Sequence, residues 1–392
     1  MSRSGMNMET IRDQNRALIL EYVNAKGPVS RTDIAAASGL TAASVTLITT
    51  RLLSEGILKE TGTTIGTGAG RRRVLLDIDP GVAYVLAVNM EPRETVIAVC
   101  DLKGRIVGQG DKEQLKRTLP TDTSIAPEEF LYRICGVCKE LRNKLNNTQK
   151  KRLECVSIGI TGLVDVQNAV SVHAYGIWER PVDLKALFSA ELGLPVIVEN
   201  NVDAFATAEQ LFGVGRIRHD LLIIKWGPGL GSAIIIDDMI YKGRLGKAAE
   251  IGHYIIDPDG AKCSCGRRGC LETYVSYSAL NKIMPFEPDD FERSYLVADE
   301  LTRSKIDAAM ELFARCIVNT GTLIAPSRII LAGKLFKGQH IREKLINACT
   351  ALDGTYNAES ILYTPLSGSE AYIGPVAVFA QKKLMGISLS EP

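Results

Sequence analysis

The chain has 392 residues, of which 46% are hydrophobic and 23% charged, with a formal net charge of +1. That length fits two or three domains of an ordinary soluble globular protein. No apolar run approaches the roughly twenty residues a bilayer-spanning helix needs, and no secretory leader is visible, so a reducing, cytoplasmic setting is expected. Residues 1–76 carry ten Lys or Arg against six Asp or Glu, so a DNA-binding face is expected at the amino end.

Residues 10–25 place Leu18, Ile19, Tyr22 and Val23 at helical spacing, and Lys26-Gly27-Pro28 ends that helix. Ser30 caps a short second helix, with Asp33 three residues on to complete a capping box. Ser38-Gly39-Leu40 makes the turn, and Thr41 caps a third helix running to about Leu53. Val45, Ile48 and Leu52 are expected inside. The opposite face carries Ala42, Ala43, Ser44, Thr46, Leu47, Thr49, Thr50 and Arg51. Short side chains let such a helix enter a major groove, where Ser, Thr and Arg can bond base edges and phosphates.

After Gly56, strand-like pieces at 57–61 and 74–78 bracket a Gly- and Thr-rich loop that ends in Arg71-Arg72-Arg73. The whole resembles a winged helix-turn-helix over residues 1–78. Its candidate DNA contacts are Thr41, Ala42, Ser44, Thr46, Arg51, Arg71, Arg72 and Arg73. A three-helix cap, or a protein–protein module of the same shape, is the competing reading. Residues 62–72 are the candidate linker.

From Ala83 onward, apolar strand runs recur at 83–89, 95–101, 155–161, 195–199, 221–225, 231–237 and 328–333. Helical stretches lie near 127–148, 202–213, 303–325 and 371–385. This alternation predicts an α/β fold with mixed sheets, in two lobes flanking a cleft.

Within it, His253, Cys263, Cys265 and Cys270 fall in eighteen residues, with Gly260, Gly266 and Gly269 between or beside them. Three thiolates and an imidazole are the ligand set of a closed structural zinc site, and the glycines allow tight folding. A disulfide is disfavoured because the remaining cysteines are scattered through apolar or helical surroundings. The Cys135–Cys138 pair lies in a helical pattern and reads as core packing.

Four segments together resemble the ROK family of sugar kinases and sugar-responsive repressors. They are the metal loop, the Gly-Lys-Ala-Ala-Glu-Ile-Gly-His run ending at His253, Gly159-Ile-Thr-Gly-Leu-Val-Asp165, and Asn200-Asn201-Val-Asp-Ala204. The resemblance implies an actin-like, two-lobed sugar-kinase fold over residues 79–392, with a zinc loop at 253–270, preceded by the winged helix. It places sugar contacts on Asn200, Asn201, Glu250, His253 and Glu272. Carboxylates and amides are also what a ligand made of hydroxyls requires.

The chain departs from a kinase in three places. Where kinase members have an Asp-x-Gly-Gly-Thr phosphate turn, this chain has Asn89-Met90-Glu91-Pro92-Arg93. Glu91 adds negative charge there, and Pro92 removes an amide donor. Where kinases have an Asp base, Asn201 cannot accept a proton. That loss is typically worth about 10²- to 10⁴-fold. The turn Gly227-Pro-Gly-Leu-Gly231 carries Pro228 in place of Thr and reads as a structural hairpin. Asp203, two residues past Asn201, is expected to cap or brace the following helix.

These features lead to a non-enzymatic, sugar-responsive DNA-binding repressor of carbohydrate genes. Its expected cofactor is structural zinc, and its expected partners are operator DNA and a sugar or sugar-phosphate effector. It is expected to assemble as a homodimer or homotetramer, with no membrane partner. The rival reading is an ATP-dependent ROK sugar kinase that keeps an operator-binding domain. A third is an orphan regulator that binds DNA but no sugar.

Overall fold

The computed structural model describes residues 8–64, 72–108, 114–217, 220–246 and 248–385. The amino-terminal part runs α1 (Met8–Lys26), β1 (Val29–Ser30), α2 (Arg31–Ser38), α3 (Ala42–Ser54), β2 (Leu58–Thr64) and β3 (Arg73–Ile78). The capping box forms as expected: Ser30 Oγ accepts from Asp33 N, and the Asp33 carboxylate accepts from Ser30 N at 3.0 Å. Thr41 caps α3 by accepting from Ser44 N. Ile19, Val23, Ile34, Val45, Leu52 and Leu76 are buried together, which makes the three helices and the β1-β3-β2 sheet one core.

Two expectations need correction here. Thr49 is fully buried rather than on the outer face of α3, because it stacks one turn below Val45. Its hydroxyl donates to Val45 O at 2.8 Å and accepts from Arg31 Nε at 2.9 Å, so its burial leaves nothing unsatisfied. Residues 62–72 are not an interdomain linker. Residues 62–64 belong to β2, which pairs antiparallel with β3, so the stretch joins two strands of one sheet. Residues 65–71, Arg71 included, lie outside the described residues.

The first lobe contains β4 (Tyr84–Met90), β5 (Glu94–Asp101), β6 (Lys116–Pro120), α4 (Pro127–Asn143), α5 (Asn147–Lys151), β7 (Leu153–Ile160), β8 (Leu163–Asp165), β9 (Val170–His173), β10 (Val182–Asp183), α6 (Leu184–Leu192), β11 (Val196–Asn200) and α7 (Asn201–Phe212). The second contains β12 (Leu221–Trp226), β13 (Leu230–Ile236), β14 (Met239–Ile240), α8 (Glu272–Val275), α9 (Tyr277–Ile283), α10 (Phe291–Val297), α11 (Glu300–Ile324), β15 (Arg328–Ala332), α12 (Gln339–Leu352) and β16 (Ile361–Tyr363), after which α13 (Ile373–Met385) returns to pack on β4 and β7 of the first lobe.

The two large sheets, β11-β7-β4-β5-β6 and β14-β13-β12-β15-β16, share one topology. Each begins with an antiparallel meander; the meander's first strand then pairs in parallel with a fourth strand, and that strand in parallel with a fifth. β4 is buried along nearly its whole length because helices cover both faces, so its sequence runs apolar rather than alternating. α7 and α13 pack on one another between the sheets, sharing one core with both.

The winged helix is held against this body at several points. Asn24 Nδ2 donates to Leu211 O at the end of α7, at 2.7 Å. Lys103 Nζ pairs with Asp77 of β3 at 2.7 Å, and Leu384 of α13 joins the amino-terminal core. A cavity of about 500 Å³ lies at this junction. Among the described residues no helix is long and apolar enough to cross a membrane.

Trp226, at the end of β12, anchors the second lobe. Its ring meets Phe291, Phe313 and Phe336, and its Nε1 donates to Val275 O at 2.6 Å. Trp226→Ala is therefore expected to cost about 3–5 kcal/mol, measured by denaturant titration.

Candidate functional site

The equivalent hairpins of the two sheets, β4–β5 and β12–β13, face one another across the interlobe cleft. The second is the structural turn expected at Gly227–Gly231, closed by Gly227 N donating to Gly229 O at 3.0 Å. A cavity of about 460 Å³ opens between the hairpins. Asn200, Asn201, Glu250, His253 and Glu272, the five residues expected to contact sugar, all line it.

Each is positioned by local structure. Asn200 is the N-cap of α7: its Oδ1 accepts from Val202 N and Asp203 N at 2.8 and 3.2 Å, while Nδ2 donates to Gly162 O at 2.8 Å. Those bonds leave Asn200 one amide hydrogen for a ligand, so it mainly shapes the wall. Asn201 is nearly buried and donates through Nδ2 to Glu91 at 3.2 Å. Glu272 opens α8 and accepts from Leu230 N at 3.0 Å; burial raises its pKa. Glu250 lies 3.8 Å from His253 Nε2.

Glu91 is the most constrained group in the cleft. Its carboxylate pairs with Lys225 Nζ and also accepts from Asn89 Nδ2 at 3.2 Å. Burial opposes its ionisation, but Lys225 and the two amides prevail and hold its pKa below the usual carboxylate value. The pair is largely shielded, with 12% and 15% of the Lys225 and Glu91 side chains exposed. Two further ion pairs cross the cleft nearby: Lys334 with Glu94 at 3.0 Å, and Arg93 with Glu287 at 3.4 Å. The Arg93 guanidinium also sits 4.5 Å from the centre of the Tyr277 ring.

Asp203 meets its expectation only in part: it stands in the first turn of α7 but does not cap it. The cap of α7 is Asn200, so the Asp203 side chain is left to face the cavity. Burial, then the charge of Glu199, push its pKa up to about 7 against the partial relief of Lys242, 3.9 Å away. Lys242 is committed more closely to Glu199. Glu370, which accepts from Gly333 N at 3.1 Å, is likewise pushed up to about 7 by burial.

Sequence reasoning missed Lys225, Lys242, Glu199 and Arg93, whose partners are remote in the chain. A lone lysine closing the apolar strand Leu-Leu-Ile-Ile-Lys-Trp was the available signal, because buried lysines are rarely unpaired.

Beside the cavity, the ligand atoms of His253, Cys263, Cys265 and Cys270 lie within 4.8 Å of one another. His253 Nδ1 is 3.6 Å from Cys263 Sγ, and Cys265 Sγ is 3.7 Å from Cys270 Sγ. Tetrahedral zinc with Zn–S near 2.3 Å requires ligand–ligand spacings of about 3.8 Å, so these four residues fit a metal ion. Gly269 makes the fold possible: at φ +63° it passes so close to Asp257 O that a Cβ would stand 1.4 Å from it. None of the nine cysteines forms a disulfide, and Cys135 and Cys138 are buried in the first lobe's core.

On the winged helix, Thr41, Ala42, Thr46 and Arg51 are exposed and Ser44 is half-buried. Thr46 Oγ1 donates to Ala42 O at 2.7 Å, and Arg51 pairs with Glu55 at 2.8 Å. Arg72 is exposed, and Arg73 lies 3.7 Å from Asp33. Exposed pairs of this kind are worth roughly 0–1 kcal/mol and exchange readily for a phosphate.

The folded-state pKa of Asp203, about 7, lies above its ordinary 3.8. The folded chain therefore holds that proton in a pH range where the unfolded chain has lost it. Its stabilising contribution is full below the unfolded value and is lost as pH rises through the folded one. Asp203→Asn mimics the protonated acid, so its stability advantage over the parent should grow by about 1–3 kcal/mol between pH 4 and pH 8. Melting temperatures across that range check this, and a flat difference would contradict it.

A family model described as "ROK family" matches residues 86–381. The chain is 27% identical over 395 residues to the xylose repressor of Caldicellulosiruptor bescii, covering 95% of this chain and 96% of that protein. It superposes with a TM-score of 0.76 on a crystal structure of a ROK family transcriptional regulator described as a homologue of the Escherichia coli Mlc protein. That match has 23% identity and covers 96% of this chain and 97% of the other. A ROK family glucokinase from Streptomyces griseus, in complex with glucose and AMPPNP, superposes with a TM-score of 0.62 at 24% identity, covering 76% of this chain and 99% of that one. These likenesses establish the actin-like, two-lobed fold, and the family match, running from β4 into α13, makes this chain a member of the ROK family.

Proposed function

We propose that this chain is a sugar-responsive transcriptional repressor of carbohydrate uptake or breakdown genes, working in the cytoplasm, whose kinase-like body binds sugar without phosphorylating it. The observation that carries this reading is the Glu91–Lys225–Asn201 cluster. A negative charge stands at the turn where a kinase presents backbone amides to phosphate. An amide stands where a kinase needs a base, and that amide is tied to Glu91. Asp203 also faces the cavity, but it lies two residues past the position of the kinase base and against Glu199 and Lys242.

The five cavity residues Asn200, Asn201, Glu250, His253 and Glu272 would hold the sugar, with carboxylates accepting from its hydroxyls. His253, Cys263, Cys265 and Cys270 would hold zinc, which when bound supplies a structural cross-link and no reaction step. His253 would then direct Nε2 toward the cleft, so the metal loop and the sugar wall share one imidazole.

The winged helix would meet an operator through Thr41, Ala42, Ser44, Thr46, Arg51 and the arginines Arg71, Arg72 and Arg73, as part of a homodimer or homotetramer. Coupling has a physical route. α7 begins at Asn200 in the cavity wall and ends where Leu211 receives the Asn24 amide from α1. A coupling of about 1–3 kcal/mol, typical of such systems, lowers operator affinity 5- to 150-fold.

The test is a mobility-shift titration on DNA upstream of adjacent carbohydrate genes, with and without a sugar panel, beside a coupled ATP-consumption assay. Sugar-dependent release without ATP turnover is expected. Turnover of order 1 per second or faster would identify a kinase instead, and DNA binding indifferent to every sugar would identify an orphan regulator. Metal analysis should find about one zinc per chain. Cys263→Ala should lose the metal and the sugar response while keeping operator binding, and a normally responsive variant would refute the bracing role.

A further inference from the structure

Among the described residues, every lysine and arginine lining the cavity is already committed to a carboxylate. Lys225 is paired with Glu91, and Lys242 with Glu199 at close range and Asp203 at 3.9 Å. Arg93 is divided between Glu287 and the Tyr277 ring. Against these cations, Glu250 and Glu272 add acidic side chains to the same walls.

A phosphate ester brings about 1.5 to 2 negative charges at neutral pH and needs donors or cations that are not already neutralised. Buried beside carboxylates it meets like-charge repulsion instead. A free sugar brings only hydroxyls, for which the same carboxylates are good acceptors.

Resting on the reading of this cavity as an effector site, we propose that it takes an uncharged, unphosphorylated monosaccharide and rejects sugar phosphates, with Glu91 as the residue that sets this choice. Glu91 is the built-in anion of the cleft. It comes from one lobe, occupies Lys225 of the other, and leaves an incoming phosphoryl group without a counter-charge. Lys225 emerges from the hairpin equivalent to the one carrying Glu91, so the two sit opposite by topology rather than by local sequence.

The experiment is isothermal titration calorimetry on the full chain with free aldopentoses and aldohexoses, including xylose, glucose and N-acetylglucosamine, and with glucose 6-phosphate and N-acetylglucosamine 6-phosphate. At least one free sugar should bind, and each ester should bind about tenfold or more weakly than its parent sugar. Glu91→Gln releases Lys225 and should narrow the ester-to-sugar ratio by about tenfold. An ester that binds the parent protein as tightly as its free sugar overturns this inference and leaves a sugar-responsive regulator intact. Binding of neither class overturns that broader reading as well. A folded Glu91→Gln variant with an unchanged ratio removes Glu91 as the selecting residue.

Discussion

Glu91 and Lys225, each largely withdrawn from water, form the most shielded of the three ion pairs that join the two halves of the cleft. Removing one partner of a shielded pair strands the other and typically costs about 3–5 kcal/mol. The geometry of both hairpins therefore depends on their keeping this contact. Asn89 and Asn201 donate to the same carboxylate oxygen as Lys225, so the pair also engages the start of α7. The departures from a kinase thus form one local network. Changing the phosphate turn to Glu91 gives Lys225 a partner, and that partner in turn engages the amide of Asn201.

The shared topology of the two sheets explains why this network is possible. Each sheet offers a hairpin at the same place, and packing the sheets on α7 and α13 brings those hairpins tip to tip. Cavity-lining side chains come from both lobes: Asn200 and Asn201 from the first, Glu250, His253 and Glu272 from the second. A cavity built from two bodies responds to anything that alters their approach, and α7 extends from its wall to the winged helix.

Local chemistry was legible in the sequence. The Ser30–Asp33 box, the cap at Thr41, the clustering of His253, Cys263, Cys265 and Cys270 and the glycine turns depend on neighbours close in the chain, and each was readable from spacing. The long apolar strands and four of the helices followed from apolar runs, whereas α6, α9, α10, α12 and the edge strands β6 and β16 did not. What failed depends on distant partners. Thr49 reads as polar surface until Arg31 arrives to satisfy it, and residues 62–72 read as a linker until β3 pairs back on β2. Asp203 reads as a cap until Asn200 takes that position. The small β8-β9-β10 sheet has strands of only two to four residues, too short to give a periodic signal. Lys225 and Lys242 acquire meaning only from carboxylates 134 and 43 residues away.

The junction between α1, β3 and the body leaves the reading head little slack. Asn24 is tied to the end of α7, Lys103 grips Asp77 at 2.7 Å, and Leu384 plugs into the amino-terminal core. A head mounted this way behaves like the jaw of a calliper rather than a bead on a string. In a paired assembly, the gap between two such jaws is dictated by how the bodies meet, so operator spacing becomes a property of the body.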